Sequence, residues 1–208
     1  MDKKIAIEKI TVGALQTNCY LVINKELEKS VLIDAAAQGK LIQRKIARSQ
    51  SSLEAIVITH GHADHIGALD FFDVPIYIHE KEVLFLKDAD RNLSAFFGSP
   101  LKVAAKKEIR GLHDGQTIEI AGFNLKILQV PGHTPGSICL YFNSILFSGD
   151  ALFAGSIGRT DLPYGSTKEL VEAIKNKLLI LPDNTLVYPG HGPSSTIGEE
   201  KQHNPFLT

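Results

Sequence analysis

The chain has 208 residues, enough for one large domain or two small ones, and long enough to bury a core without disulfides. A hydrophobic share of 44% and a charged share of 22% are those of an ordinary globular protein. A formal net charge of −1 removes any bulk electrostatic case for nucleic acid or an anionic membrane as a partner.

The opening MDKKIAIEKITV lacks a long apolar core and a cleavage signature, so no signal peptide is expected. No apolar stretch is long enough to cross a bilayer, and the expected location is the cytoplasm. Runs rich in Ile and Val predict strands at Ile5–Val12, Cys19–Ile23 and Val31–Ile33. Cys19 and Cys139 both sit in apolar runs outside any CxxC, which predicts two buried free thiols. A helix is predicted over Gln38–Arg48, with Leu41, Ile42 and Ile46 on one side. Strands follow at Ala55–Thr59 and Ile76–Ile78, with a helix beginning at Asp64–Leu69. The segment Asp88–Lys107, with its Gly98-Ser99-Pro100 turn, reads as a surface excursion.

Further strands are predicted at Thr117–Ile120, Leu125–Val130, Ile138–Phe142, Ile145–Phe147 and Thr185–Tyr188. A helix over Ser166–Leu179 should start on a capping box of Ser166 and Glu169 and bury Leu170, Ile174 and Leu178. No Pro- or Ser-rich linker divides the chain, so residues 1–208 are expected to form a single mixed α/β domain.

One grammar recurs at the strand ends. An apolar run stops, glycine relaxes the backbone, and a metal-capable side chain appears. HGHADH presents His60, His62, Asp64 and His65; in extended chain, i and i+2 share a side, so His60 and His62 can converge on one ion. PGHTPG presents His133, SGDALF presents Asp150, and YPGHGP presents His191. Alone, His133 is a turn histidine and Asp150 a capping aspartate. Together they are the imidazole and carboxylate donors that suit borderline divalent metals. Asp34, in VLIDAAA, reads equally as a turn residue or as a carboxylate behind the site. His79, in IYIHEKE, also ends a strand, while His113 and His203 read as exposed or structural.

HGHADH, then PGHTPG, GD and GHG in that order over almost the whole chain, resembles the metallo-β-lactamase superfamily. The resemblance implies an αββα sandwich, two mixed β-sheets face to face with helices outside and metals at one edge. It implies two divalent cations, zinc first, with iron or manganese as alternatives. His60, His62 and His133 would hold one, Asp64, His65 and His191 the other, and Asp150 would bridge them. Asp34 would be a carboxylate behind the ligands, and Asp64 would also orient a metal-bridging hydroxide that acts as nucleophile. Asp150 stands where zinc β-lactamases generally carry cysteine, which disfavours antibiotic hydrolysis.

NCY at residues 18–20, GDALFAGSIGRTD at 149–161 and GHGPSSTIGEEKQHNPFL at 190–207 resemble short bacterial glyoxalase II-type proteins. That implies hydrolysis of S-D-lactoylglutathione to D-lactate and glutathione, with a small-molecule thioester as the partner. Arg159 falls where such enzymes place a basic residue for the glycine carboxylate of glutathione, and a guanidinium suits a carboxylate bidentately. Longer relatives add a helical domain that grips glutathione, and carry an aromatic where Asp161 stands here. A shorter, more open site implies broader thioester scope or weaker binding. Alternatives in the same superfamily are a mono-iron persulfide dioxygenase using His60, His133 and Asp150, a lactone hydrolase, and a metal-binding module with lapsed catalysis.

Overall fold

The computed structural model describes residues 4–103 and 105–208. Its first sheet runs β1 (Ile5–Val12), β2 (Thr17–Asn24), β3 (Lys29–Ile33), β4 (Ser52–Ile58), β5 (Ile76–His79) and β6 (Ile109–Leu112), in that spatial order. β1 to β3 are antiparallel meanders; β3 to β6 are parallel. The parallel β3–β4 pair needs a crossover, supplied by α1 (Gly39–Arg48).

The second sheet contains β7 (Thr117–Ile120), β8 (Phe123–Gln129), β9 (Ile138–Phe142), β10 (Ile145–Gly149), β13 (Leu186–Pro189) and β14 (Ser195–Thr196), ordered β14-β13-β10-β9-β8-β7. Only β10 and β13 are parallel. A two-stranded hairpin, β11 (Leu152–Phe153) with β12 (Ser156–Ile157), follows β10. Both main sheets are therefore mixed, as expected.

The period of two along a strand divides the chain among three cores. On β2, Tyr20 and Val22 face the second sheet, while Cys19, Leu21 and Ile23 face outward into a separate cluster. Val31, Ile33 and Val57 meet Leu125, Ile127, Leu140 and Phe147 between the sheets. Outside the first sheet, Ile42 of α1 packs with Ile56, Ile58, Ile66 and Leu69. Outside the second, Leu170, Ile174 and Leu178 pack with Leu146, Val187 and Ile197. Strands buried on both faces are why the sequence reads as unbroken Ile/Val runs. Cys19 and Cys139 are buried free thiols in different outer clusters.

The helices depart from expectation in detail. α2 is one turn, Ala63–Ile66, followed by a 3₁₀ turn at Leu69–Phe71. α3 is α-helical only over Thr167–Ala173 and widens to a π-turn at Ile174–Leu178, though its stripe stays buried. Its capping box is one-sided. The Ser166 hydroxyl accepts the Glu169 N–H at 3.3 Å, but the Ser166 N–H donates to the Gly132 carbonyl at 2.7 Å, docking the helix on the His133 turn. α4 (Ile197–His203) was not anticipated. No described helix is long and apolar enough to cross a membrane.

The Asp88–Lys107 excursion has neither helix nor strand among its described residues. It is nonetheless pinned. The buried Asn92 donates to the Phe85 and Leu101 carbonyls at 2.8 and 3.0 Å, and its own carbonyl accepts the Ala63 N–H at 2.9 Å. Residue 104 lies outside the described residues.

Candidate metal centre

The carboxyl ends of β3, β4, β8, β10 and β13 all open on one edge of the sandwich; β4 leads to four of the expected residues there and each of the others to one. Three overlapping groups have their ligand atoms within 4.8 Å of one another: His60, His62 and His133; His60, His65 and Asp150; Asp64, His65 and His191. His133 Nε2 lies 3.0 Å from His62 Nδ1 and 3.2 Å from His60 Nε2. His191 Nε2 lies 3.3 Å from Asp64 Oδ2 and 3.4 Å from Asp150 Oδ2. Asp150 stands between the groups, its Oδ2 also 3.7 Å from His133 Nε2. Ligands held about 2.0–2.2 Å from a tetrahedral ion stand about 3.3–3.6 Å apart, so these spacings suit cations.

The far side of each imidazole decides which nitrogen faces the centre. Carbonyl oxygens only accept, so His133 Nδ1 donates to Arg159 at 2.8 Å and His191 Nδ1 to Leu15 at 3.1 Å. His65 Nδ1 pairs with Asp34 Oδ2 at 2.8 Å. The Thr59 hydroxyl donates to the same Asp34 oxygen at 2.8 Å, which leaves its lone pair for His60 Nδ1 at 3.2 Å. Four Nε2 atoms are thereby turned inward, while His62 offers Nδ1. Such backing groups fix ligand tautomer and ring orientation. His65 Nε2 and Asp150 Oδ1 are buried without a hydrogen-bond partner, although they lie 3.3 Å apart, because the pair is misaligned. Buried unpaired polar atoms are rare in folded proteins, and these two, with His62 Nε2 also unpaired, lie on residues of the same cluster. The donor set fits a pair of metal ions.

Electrostatics agree. Burial opposes charge on His65, yet Asp64, Asp150 and Asp34 together lift its imidazole well above the ordinary range. Burial likewise opposes charge on His191, but hydrogen bonds to Asp150 and Asp64 push it up to about 10. Burial would raise the Asp150 carboxyl, but His65 and His191 hold it well below the usual range. Burial, reinforced by His133, drops His62 to about 3. The site thus carries excess negative charge on one side and uncharged imidazoles on the other.

Asp34 adopts a left-handed φ of 58° and accepts the Thr59 N–H at 2.8 Å as well, so it braces two ligand-bearing positions at once. Gly190 has no room for a side chain, since a Cβ there would lie 2.2 Å from Asp150 Oδ1. Gly61 has no left-handed φ; it is small because a Cβ would meet Phe85 Cβ at 2.3 Å. The expectation that Gly61 serves a tight backbone bend gives way to close packing.

Arg159 is brought to the rim rather than the centre. Its side chain is 63% exposed and is held bidentately by Asp161, both contacts 2.8 Å. His79 is buried, with its Nδ1 accepting the Lys81 N–H, and His113 is exposed beside Glu80. Several contributors had no assigned role in the sequence. Thr17 donates to Asp64 Oδ2 at 3.0 Å. Asn18 and Tyr20 of the NCY motif donate to the Pro189 carbonyl at 3.0 and 2.7 Å, and Asn18 also reaches the Gly192 carbonyl at 3.0 Å. That motif holds the loop bearing His191.

A model of the metallo-beta-lactamase superfamily matches residues 12–191. The chain belongs to the metallo-β-lactamase superfamily. It is 38% identical over 205 residues to a Bacillus subtilis protein named probable metallo-hydrolase YqgX, with 96% of each chain covered. It is 37% identical over 207 residues to hydroxyacylglutathione hydrolase GloC of Haemophilus influenzae, with 97% of each covered. Among solved structures, BLEG-1 B3 metallo-beta-lactamase superposes with a TM-score of 0.93 at 40% identity, covering 98% of this chain and 100% of that one. TTHA1623, solved in a di-iron-bound form, gives 0.84 at 36% identity, covering 96% and 100%. The superfamily's αββα architecture is the one the two mixed sheets and outer helices display.

Proposed function

We propose that this protein is a glyoxalase II-like thioester hydrolase that works at a dinuclear metal centre and accepts glutathione thioesters such as S-D-lactoylglutathione. The observation that carries the reading is the end-to-end likeness to GloC. That relative is named for hydroxyacylglutathione hydrolysis, and the match spans 97% of each chain.

His60, His62 and His133 would hold one cation, Asp64, His65 and His191 the other, with Asp150 between them. Such a pair, when bound, lowers the pKa of water and polarises the acyl oxygen. Zinc suits these donors, as do iron and manganese, and the di-iron form of TTHA1623 keeps iron in view. Asp64, 24% exposed against 0% for His65, sets its carboxylate at the mouth of the site, where it can orient the incoming water. The water oxygen bonds to the acyl carbon, the C–S bond breaks, and thiolate leaves as the surplus proton passes to solvent. Arg159 would offer its guanidinium to the glycine carboxylate of glutathione, exchanging Asp161 for the substrate.

The likeness to BLEG-1 supports a second reading, β-lactam hydrolysis at the same centre. One sample decides. Purified protein should carry about two ions per chain and hydrolyse lactoylglutathione faster than a cephalosporin. Asp150→Ala should lose both the ions and the turnover. A cephalosporin preference, or sulfite formation from glutathione persulfide and oxygen, would replace the thioester reading.

A further inference from the structure

We propose that Glu82 is a positioning residue for the first cation: its carboxylate ties the loop of His60 and His62 to the loop of His133 and so sets the spacing of those three imidazoles. The proposal rests on the two-metal reading above.

Glu82 closes a 3₁₀ turn, Glu80–Glu82, directly after β5, and is fully buried. Its Oε2 accepts the Gly61 N–H at 2.9 Å, the peptide between His60 and His62. Its Oε1 accepts the Gly136 N–H at 2.7 Å, three residues past His133. These partners come from two loops 71 residues or more apart in sequence, by the His62 to His133 separation. Both amides reach the carboxylate because they belong to glycines. A Cβ at Gly136 would meet Glu82 Cγ at 2.7 Å, and one at Gly61 would meet Phe85.

The choice of residue is informative. A carboxylate is costly to bury unless it is fully hydrogen-bonded, and a fold needing only a plug would use an apolar side chain. A carboxylate offers an acceptor oxygen on each side, which matches the two backbone N–H groups that converge on it from Gly61 and Gly136. Asp64, His65 and His191 are braced by other groups, namely Thr17, Asp34 and the Leu15 carbonyl. Disturbing Glu82 should therefore reach the His60, His62 and His133 trio first.

Glu82→Gln keeps the size but turns an amide donor toward one of the backbone N–H groups. The test is a cobalt titration of metal-free protein, followed by visible absorption, with ions counted after dialysis. The wild type should hold about two ions. Glu82→Gln should hold about one, with affinity for the other lowered about 10- to 100-fold. Glu200→Gln, at an equally buried carboxylate that binds the Gly155 N–H and Asn204 instead, should still hold two. Retention of both ions by Glu82→Gln with a wild-type spectrum overturns the role, as does equal loss of both. If Glu82→Gln does not fold, Glu82→Asp carries the same comparison on a shorter stem, and loss of one ion supports the role while retention of two overturns it. A wild type that binds no cobalt overturns the metal reading itself, a result distinct from failure of the variant alone.

Discussion

Each imidazole of the centre is aimed by what lies behind it, and those backing groups make the site's chemistry predictable. A cation can bind only neutral imidazole, and binding must displace any proton already there. His65 is raised well above the ordinary range, and His191 to about 10, so both hold protons in the bare site at neutral pH. Ion retention should therefore weaken as pH falls and strengthen as it rises. Equilibrium dialysis at pH 6, 7 and 8 checks the sign, and affinity that rises on acidification would contradict it. Asp34→Ala removes the acceptor shared by His65, Thr59 and the Thr59 amide. It should lower metal affinity about 10- to 100-fold, measured by chelator competition. Asp161 matters differently. Releasing Arg159 by Asp161→Asn should lower KM for lactoylglutathione and leave KM for a small uncharged thioester unchanged; equal shifts would separate Arg159 from glutathione. The seven inward-facing donors were legible because glycine-flanked His and Asp sit at the ends of apolar runs. Glu82 was not, because in IYIHEKE it is one of three consecutive charged residues, and only the folded chain shows which of them is buried.

Among elements, the Ile/Val strands were legible because both faces are buried, whereas short or mixed ones were not. β6, sequence IRGL, interrupts its apolar residues with Arg110 and Gly111 and owes its place to pairing with β5. α4 buries only Ile197 and Glu200 and so lacks an apolar stripe. Its cap was the available signal, since Thr196 accepts the Glu199 N–H at 3.2 Å, the same spacing as Ser166 and Glu169. The Asp88–Lys107 excursion reads as loose in sequence, yet Asn92 ties it to Ala63 beside the ligands. Asn92→Ala leaves the Phe85 and Leu101 carbonyls short of a donor and should cost about 1–3 kcal/mol. Urea unfolding measures that loss, and limited proteolysis should cut the excursion faster. Unchanged stability would mean that the segment is not anchored there.

At the scale of the molecule, the sandwich separates support from chemistry. Three apolar clusters lock two sheets and their outer helices, while one edge collects the carboxyl ends of five strands, where ligand sites in α/β folds gather. The strand ends that carry the donors come from both sheets, so the centre exists only when the two sheets are packed. Sequence order alone could not bring residue 34 to residue 65, or 150 to 191; sheet topology does so, with β3 beside β4 and β10 beside β13. Under the proposed function, substrate choice would fall to the rim, where Arg159 and Asp161 are exposed, and exposed side chains leave the weakest imprint on a sequence. The proposed function is two-metal thioester hydrolysis. Metal analysis and lactoylglutathione hydrolysis on one preparation test it most directly. A two-metal hydrolase should hold about two ions per chain, with turnover lost on chelation and restored by adding metal back; full turnover in chelated, metal-free protein would contradict that function.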